Sequence, residues 1–190
     1  MSKSNGKLFI LSGPSGVGKG TVIDELSKEF GDIEYSISVT TRPPRRGEED
    51  GVDYYFVTED EFNKMKENDE LIEWAEVHNH LYGTPRKNVE MALEQGQNMI
   101  LEIDIEGAKQ IRSKFPDAVL IFLLPPSIEE LKHRLEKRNT ENEKVKNLRL
   151  NNARKELDEI IYYDYQVENA RLSETVSRIK NIILKETNQG

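Results

Sequence analysis

Gly13-Pro-Ser-Gly-Val-Gly-Lys-Gly-Thr21 stands between the apolar run Leu8–Leu11 and an amphipathic run that begins at Val22. This context predicts a strand, a glycine-rich turn and the first turn of a helix. The spacing G-x-x-x-x-G-K is that of a phosphate-binding loop, in which backbone N–H groups at a helix N-terminus surround a phosphate. A glycine-rich turn without a ligand is the alternative, but the glycines, the lysine and the context together favour the phosphate loop.

The residues of this stretch have different expected roles. Glycine permits backbone conformations that leave N–H groups turned inward, and Lys19 supplies a full positive charge for the terminal phosphates. The hydroxyl residue that usually follows the lysine, and that contacts Mg²⁺, is here Gly20, with Thr21 one position later. We therefore expect a nucleotide triphosphate with Mg²⁺ and leave the protein's contact to the metal open. The predicted triphosphate-binding residues are Gly13, Pro14, Ser15, Gly16, Val17, Gly18, Lys19, Gly20 and Thr21.

Composition limits the classes of protein that fit. The 190 residues predict one domain with small insertions, and a net charge of −8 disfavours a nucleic-acid or anionic-membrane binding surface. There are no cysteines, which excludes disulfides and thiolate metal sites. Neither a signal-peptide pattern nor an apolar run of membrane-spanning length is present, so we expect a cytoplasmic protein.

Strand-like and helical patterns alternate along most of the chain, which predicts an α/β fold: a parallel sheet covered by helices on both faces. An irregular segment with short strands and one short helix interrupts this rhythm and predicts an inserted subdomain at about 35–84. The core is then 1–34 and 85–190, and the stretch from Arg138 to Arg149 is charged and nearly free of large apolar residues. Within the insert we predict strands at Tyr35–Val39, Asp53–Val57 and Leu71–Val77, and a helix Glu59–Glu67 capped by Thr58.

The insert carries a candidate phosphate clamp. Arg42 and Arg45 lie three residues apart in a proline-stiffened loop, with Tyr54 nearby in sequence. Guanidinium groups bind phosphate through paired N–H donors, so two arginines presented together could hold one phosphate group. A solvated basic turn is the alternative, and it is our interpretation of the neighbouring Arg46.

Glu73 is a candidate base-reading residue. Alternation along the strand places Ile72 and Trp74 on one face and Glu73, between apolar neighbours, on the other. A partly desolvated carboxylate requires a donor partner, and guanine offers two N–H groups along one edge. Adenine presents a lone pair there instead. From alternation alone, an ordinary surface glutamate on an edge strand fits equally well.

Two further sets of charged residues are candidates. Glu102 and Asp104 share one side of a strand at its carboxyl end, where open α/β sheets place ligands; they could organise magnesium waters or contact a substrate, and Asp104 could also cap a helix. Arginines that close over a transferring phosphoryl group lower its barrier, but from the residues alone a solvated helix face is the preferred interpretation. These arginines are Arg134, Arg138 and Arg149.

At this point the pattern resembles the guanylate kinases, nucleoside monophosphate kinases that phosphorylate GMP from ATP. The resemblance runs from Leu8 to about Glu186. It is carried by the phosphate loop and by Ser38-Val-Thr-Thr-Arg-Pro-Pro-Arg45, Gly51-Val-Asp-Tyr-Tyr-Phe56, Phe62, Ile72-Glu-Trp-Ala75, Tyr82-Gly-Thr84, Leu101-Glu-Ile-Asp104, Gly107, Pro125-Pro-Ser127, Arg134-Leu-Glu-Lys-Arg138 and Thr140-Glu141.

The resemblance implies roles for individual residues. The clamp on the GMP phosphate is implied to be Arg42, Arg45, Tyr54 and Tyr82. The guanine-reading set is implied to be Ser38, Glu73 and Thr84, with Glu102 or Asp104. Arg134, Arg138 and Arg149 resemble the arginines that close over the ATP phosphates, which implies a lid at about 138–150. Asn169 matches a position near the adenine pocket. The implied catalytic set is Lys19, Arg42, Arg134, Arg138 and Arg149.

The implied reaction needs no protein base, because the acceptor phosphate is already largely dianionic at neutral pH. ATP and GMP are the expected partners; we expect no nucleic acid and no membrane, and the oligomeric state stays open. Two alternatives remain: a guanylate-kinase-like domain that only binds protein ligands, and a kinase of the same fold with another monophosphate acceptor. Retention of the phosphate loop and the arginines argues against the first, and Glu73 with Ser38 argues against the second.

Overall fold

The structure is a computed structural model that describes residues 6–31, 33–77, 79–137, 151–152 and 155–187. Its strands are β1 (Leu8–Ser12), β2 (Glu34–Tyr35), β3 (Val39–Thr40), β4 (Tyr55–Phe56), β5 (Leu71–Val77), β6 (His80–Pro85), β7 (Met99–Glu102), β8 (Val119–Leu124) and β9 (Tyr165–Glu168). Its helices are α1 (Lys19–Glu29), α2 (Glu59–Glu67), α3 (Arg86–Glu94), α4 (Ile105–Lys114), α5 (Ile128–Lys137), a 3₁₀ helix (Glu159–Tyr162) and α6 (Leu172–Thr187).

The strands form two sheets. The larger has the order β2-β7-β1-β8-β9, and the pairs β2–β7, β1–β8 and β8–β9 are parallel. The smaller has the order β4-β3-β6-β5 and contains antiparallel pairs. A parallel sheet with helices between successive strands confirms the predicted α/β class. The chain divides into two compact units.

The second unit (Phe9–Gly31, Glu102–Ile105 and Val119–Gly190) carries the glycine-rich loop. All five residues of β1 are buried, as are the first five of β8, which pairs with it. Strands buried on both faces read as continuous apolar runs, and this is why both were visible in the sequence. Helix α1 packs on α6, and Leu26 and Ile179 are buried on these two helices. The loop thus leaves the carboxyl end of a strand that the core holds rigidly.

The first unit (Met1–Leu8, Asp32–Leu101 and Glu106–Ala118) contains the smaller sheet. Phe62 of α2 packs in a core with Val39 and Leu71. Helix α2 begins in a capping box: Thr58 Oγ1 accepts from Glu61 N at 3.2 Å, and Glu61 Oε2 accepts from Thr58 N at 2.7 Å. The predicted helix and its cap are both confirmed.

Two strand predictions in this unit are wrong in detail. The predicted strand Tyr35–Val39 is two strands, because β2 pairs with β7 in the larger sheet whereas β3 pairs with β4 and β6 in the smaller one. Ile72 and Trp74 do not share an environment: Ile72 is buried and Trp74 is 38% exposed. The cause is a register shift between Leu71 and Glu73, which inserts Ile72 as an extra residue in β5.

Helix α4 covers the backbone of the edge strand β5. Gln110 accepts from Trp74 N at 3.2 Å and donates to Trp74 O at 2.7 Å, while Lys114 Nζ donates to Ile72 O at 2.6 Å. Side chains that occupy an edge strand's polar groups protect it from pairing with another chain. They also hold the segment that carries Glu73.

Candidate functional site

The glycine-rich loop connects β1 to α1. Gly13 has φ +145° and Gly18, the residue before α1, has φ +102°, a region that other residues rarely adopt. A Cβ at Gly13 would lie 2.4 Å from the carbonyl oxygen of Leu123, and one at Gly18 would lie 2.8 Å from Asn169 Nδ2. Conformation and space therefore both require glycine at these positions.

Lys19 lies back over the loop that precedes it. Its Nζ donates to the carbonyl oxygen of Gly13 at 2.7 Å and to that of Pro14 at 3.4 Å. The Pro14 oxygen also accepts from Val17 N at 3.1 Å. The ammonium group is thus held at the mouth of the loop, beside the first helical N–H groups, where an anion is favoured.

Arg134, on α5, is fixed against the same loop. Its Nε donates to Glu130 Oε1 at 2.9 Å, its Nη1 to the carbonyl oxygen of Val17 at 3.1 Å, and its Nη2 to the carbonyl oxygen of Asn169 at 3.1 Å. Of the three arginines implied to close over ATP, the structure brings this one to the loop. Arg138 and Arg149, with the predicted lid at about 138–150, lie outside the described residues.

Three carboxylates lie near the loop. A Cβ at Gly20 would lie 3.5 Å from Glu102 Oε2, so this carboxylate lies directly beside the start of α1. Glu156 accepts a hydrogen bond from Ser15 N and interacts electrostatically with both Lys19 and Asp104. Glu102 and Asp104, implied to read guanine, therefore belong to the unit that contains the phosphate loop.

The pKa of Glu156 is raised from its ordinary value. Burial is the largest cause and Asp104 adds to it, while Lys19 and the Ser15 N–H oppose the shift. Its Oε2 is buried and has no hydrogen-bond partner among the described residues. The carboxylate is therefore poorly solvated, although a lysine lies near it.

A second cluster lies in the first unit around Arg42, which is 8% exposed. Arg42 Nη2 donates to Glu48 Oε1 at 2.8 Å and Nε donates to the Tyr82 hydroxyl at 3.2 Å. The guanidinium lies 5.4 Å from the centre of the Tyr54 ring, and that ring lies 6.1 Å from the Tyr82 ring. Three residues of the predicted phosphate clamp, Arg42, Tyr54 and Tyr82, are therefore together.

Glu48 joins the two arginines of the clamp. Besides Arg42, it accepts from Arg45 N through Oε2 at 2.7 Å. Burial alone would raise the pKa of the Glu48 carboxyl, but the hydrogen bonds from Arg42 and Arg45 outweigh it and lower the pKa. The side chain of Arg45 is exposed, as is that of Arg46.

Glu73 is buried, with 3% exposure, so the interpretation as a surface glutamate is wrong. It stands opposite Thr84 in the β5–β6 ladder, and the Thr84 hydroxyl donates to Glu73 Oε1 at 2.6 Å. Two of the predicted guanine-reading residues are thus paired. Ser38, the third, precedes β3, and its carbonyl oxygen accepts from Tyr55 N at 2.9 Å.

Sequence reasoning missed three contacts in these clusters. Glu48 follows the arginines in an acidic run that reads as an ordinary loop, Glu156 lies on a charged helical stretch, and Asn169 was connected to adenine rather than to the loop. The spacing of Arg42, Arg45 and Glu48, each three residues apart, is the one local pattern that could have indicated a pairing. The other two contacts join segments far apart in the sequence.

Within the described residues, no group of three or more His, Cys, Asp or Glu side chains is arranged to hold a metal ion. In the same part of the chain, the search for an apolar helix of membrane-spanning length found none.

Comparison with known proteins adds independent findings. Residues 5–186 match the family model "Guanylate kinase". Relatives named guanylate kinase include one from Bacillus cereus, 50% identical over 98% of this chain and 91% of its own length, and one from Desulfitobacterium hafniense, 47% identical over 98% and 93%. The crystal structure of guanylate kinase from Anaplasma phagocytophilum matches with a TM-score of 0.83, at 39% identity over 98% of this chain and 89% of that one.

Glu156 generates a prediction on pH-dependent stability. A carboxyl whose pKa is raised by folding stabilises the fold at low pH, and this contribution is lost as the pH rises through the folded-state pKa. The loss begins near the ordinary value of 4.5. We expect Glu156→Gln to gain thermal stability relative to the unchanged protein as the pH is raised from 4.5 toward neutrality, measured by thermal unfolding in a pH series.

The control is Asp158→Asn, the same change at an exposed carboxyl two residues away. If the difference in thermal stability between Glu156→Gln and the unchanged protein stays constant over the pH series, burial does not raise the pKa of Glu156.

Proposed function

The chain belongs to the guanylate kinase family, and we propose from this premise that its two residue clusters are the ATP and GMP sites. The reaction is transfer of the γ-phosphate of ATP to GMP, giving ADP and GDP. The observation that carries the acceptor assignment is the buried Glu73 carboxylate with its Thr84 partner.

The ATP phosphates bind at Gly13–Thr21. The backbone N–H groups at the start of α1 and the Lys19 ammonium provide the positive end of this site. Arg134 contributes charge beside the loop, where its guanidinium is already oriented by Glu130. Arg138 and Arg149 are proposed to complete the set on the basis of the sequence motif.

The GMP phosphate binds at Arg42, Arg45, Tyr54 and Tyr82. Arg42 donates three hydrogen bonds, one from each nitrogen of its guanidinium. A guanidinium carries five N–H donors. Donor capacity therefore remains for a phosphate. Glu48 orients Arg42 before the phosphate arrives, which reduces the entropy lost on binding.

The guanine base binds at Glu73, Thr84 and Ser38. Guanine N1–H and its exocyclic amine donate along one edge, and a carboxylate accepts along two parallel lone pairs. The Thr84 hydroxyl fixes Glu73 Oε1, so the orientation of the carboxylate is set by the β5–β6 ladder. A buried acceptor that lacks its donor is costly, and this disfavours adenine, whose N1 is an acceptor.

The residues present fit a magnesium ion that is held mainly by ATP. Mg²⁺ keeps several waters and usually binds through one or two carboxylates together with substrate phosphates. Glu102, whose Oε2 would lie 3.5 Å from a Cβ at Gly20, and Asp104, which acts electrostatically on Glu156, are the residues that would hold it, through water. When bound, the ion supplies charge neutralisation of the phosphates.

The chain's own residues then act by positioning and charge. The acceptor is a phosphate that is largely dianionic at neutral pH, so no side chain has to remove a proton. Lys19 and Arg134 stabilise negative charge on the transferring group, while Arg42 holds the acceptor oxygens for in-line attack. Water must be excluded, because it competes with GMP for the phosphoryl group.

We propose a cytoplasmic location, which suits a chain without cysteines. Its proposed partners are the small molecules ATP and GMP. The site argues against a domain that only binds protein ligands, because binding a protein ligand does not require the Lys19 ammonium at the phosphate loop.

The direct test is ADP release from ATP and Mg²⁺ with GMP as acceptor, compared with AMP, UMP and CMP. We expect efficient turnover with GMP and poor turnover with the others, since they lack guanine's two donors. Equal rates with all four acceptors, or no turnover with GMP, would contradict the proposal.

Lys19→Ala removes the charge at the mouth of the loop. We expect kcat to fall on the order of 100- to 1,000-fold, as for loss of one donor to a developing anion, while the dissociation constant for GMP is unchanged. Steady-state kinetics and calorimetric GMP titration measure the two effects. Lys28→Ala, an exposed lysine of the same helix, is the control; full activity of Lys19→Ala would show that the loop has another role.

Glu73→Gln replaces one carboxylate oxygen by an amide donor that faces guanine's donors. The KM for GMP should rise roughly tenfold to a hundredfold, the cost of leaving buried polar groups unpaired, with no change in the KM for ATP. Glu76→Gln makes the same change at an exposed position of β5 and should leave both values unaltered. Equal increases for both substrates would remove Glu73 from the base site.

A further inference from the structure

The carbonyl oxygen of Val17, in the phosphate loop, receives two side-chain hydrogen bonds from distant parts of the chain. Asn169 Nδ2 donates to it at 2.9 Å and Arg134 Nη1 at 3.1 Å. Asn169 follows β9 and Arg134 lies on α5, so neither contact is a consequence of the loop's own geometry.

Fixing this carbonyl fixes the next N–H group. The Val17 C=O and the Gly18 N–H belong to one planar trans peptide, in which they point in opposite directions. Gly18 occupies the left-handed region at φ +102°, and a glycine offers little steric resistance to rotation of the peptide that precedes it. Hydrogen bonds to the carbonyl are therefore what keeps the Gly18 N–H on the side opposite Asn169, available to a phosphate.

The orientation of the Asn169 amide is supported by Thr175. The Thr175 hydroxyl lies 3.0 Å from Asn169 Oδ1, 3.0 Å from Arg171 O and 3.2 Å from Glu168 O. The Arg171 oxygen already accepts from Thr175 N, and an amide oxygen that accepts from the hydroxyl leaves the NH₂ group to Val17. Asn169 is 7% exposed and Thr175 is fully buried. The Asn169 backbone is also held, because its N donates to Leu124 O at 2.8 Å and its O accepts from Arg134 Nη2 at 3.1 Å.

We propose that Asn169 and Thr175 are positioning residues of the phosphate loop: they hold the Val17–Gly18 peptide so that the Gly18 N–H faces the phosphates. The side chain of Asn169 thus acts on the loop and not on adenine. This inference rests on the proposed ATP site and names the residues that prepare it.

Dissociation constants for ATP, inorganic tripolyphosphate and GMP, measured by calorimetry on the full chain, test the proposal. Tripolyphosphate has no base, so a contact to adenine does not affect it. Thr175→Val removes the hydroxyl at constant shape, and we expect ATP and tripolyphosphate affinities to fall together by about three- to tenfold, the effect of one lost hydrogen bond. Asn169→Asp places an acceptor against Val17 O and should cost roughly tenfold or more for both ligands.

GMP affinity should be unchanged in both variants, and Thr175→Ser, which keeps the hydroxyl, should restore normal binding of ATP and tripolyphosphate. Thr187→Val is the matched control: it removes a threonine hydroxyl from the end of the same helix, where the hydroxyl donates to Ile183 O, and should alter no affinity. If Thr175→Val does not fold, Asn169→Asp decides alone.

Three results would overturn the proposal: unaltered ATP and tripolyphosphate binding, loss of ATP binding with tripolyphosphate binding retained, or an equal loss for GMP. The second result would instead assign Asn169 to adenine. If the unchanged protein does not phosphorylate GMP, the proposed acceptor is wrong. The binding results still test the positioning of the loop, because tripolyphosphate contains neither adenine nor guanine.

Discussion

A backbone that binds phosphate through its N–H groups can use few of those groups to hold its own shape. The Gly13–Thr21 loop meets this constraint by being held through its carbonyl oxygens instead. Lys19 bonds the oxygens of Gly13 and Pro14, and Asn169 with Arg134 bonds that of Val17. The fixed carbonyls of Pro14 and Val17 orient the N–H groups of Ser15 and Gly18 in the opposite direction, whereas the residue after Gly13 is a proline and has no N–H. Of the donors that hold the loop, Asn169 acts on the anion site only through the backbone, while Lys19 and Arg134 also bring positive charge to it.

The acceptor cluster is prepared by a different means, because its ligating groups are side chains. Arg42 is oriented by Glu48 and Tyr82, and Glu73 is oriented by Thr84 across a strand ladder. Long side chains lose rotamer freedom when they bind, and neighbours that fix them beforehand reduce this loss. Glu48 has the additional property of being an anion already bound to Arg42. The desolvation of that guanidinium is therefore compensated within the protein before any phosphate is present.

Local sequence patterns were sufficient to predict the features that depend only on residues close together in the chain. The loop and the Thr58 capping box each depend on residues within a few positions of one another, whereas alternation left the burial of Glu73 undecided. The strand Tyr35–Val39 was predicted wrongly because alternation reports a pleated backbone but not its partner, and β2 and β3 pair in different sheets. The extra residue Ile72 in β5 likewise depends on the register with β6. The contact from Asn169 to Val17 spans 152 positions, and no periodicity in the sequence encodes it.

Gly20 stands where a phosphate loop usually has a hydroxyl residue, and its surroundings offer a spatial explanation. A side chain at this position would start 3.5 Å from Glu102 Oε2, so a serine or threonine hydroxyl would enter the space beside that carboxylate. Glycine leaves the space to an oxygen donor delivered from the end of β7 instead of from the first turn of α1. Oxygen is the ligand type that Mg²⁺ requires in either arrangement, and a carboxylate adds a negative charge that a hydroxyl lacks. In the proposed site, Glu102 is therefore the residue that supplies an oxygen beside Gly20.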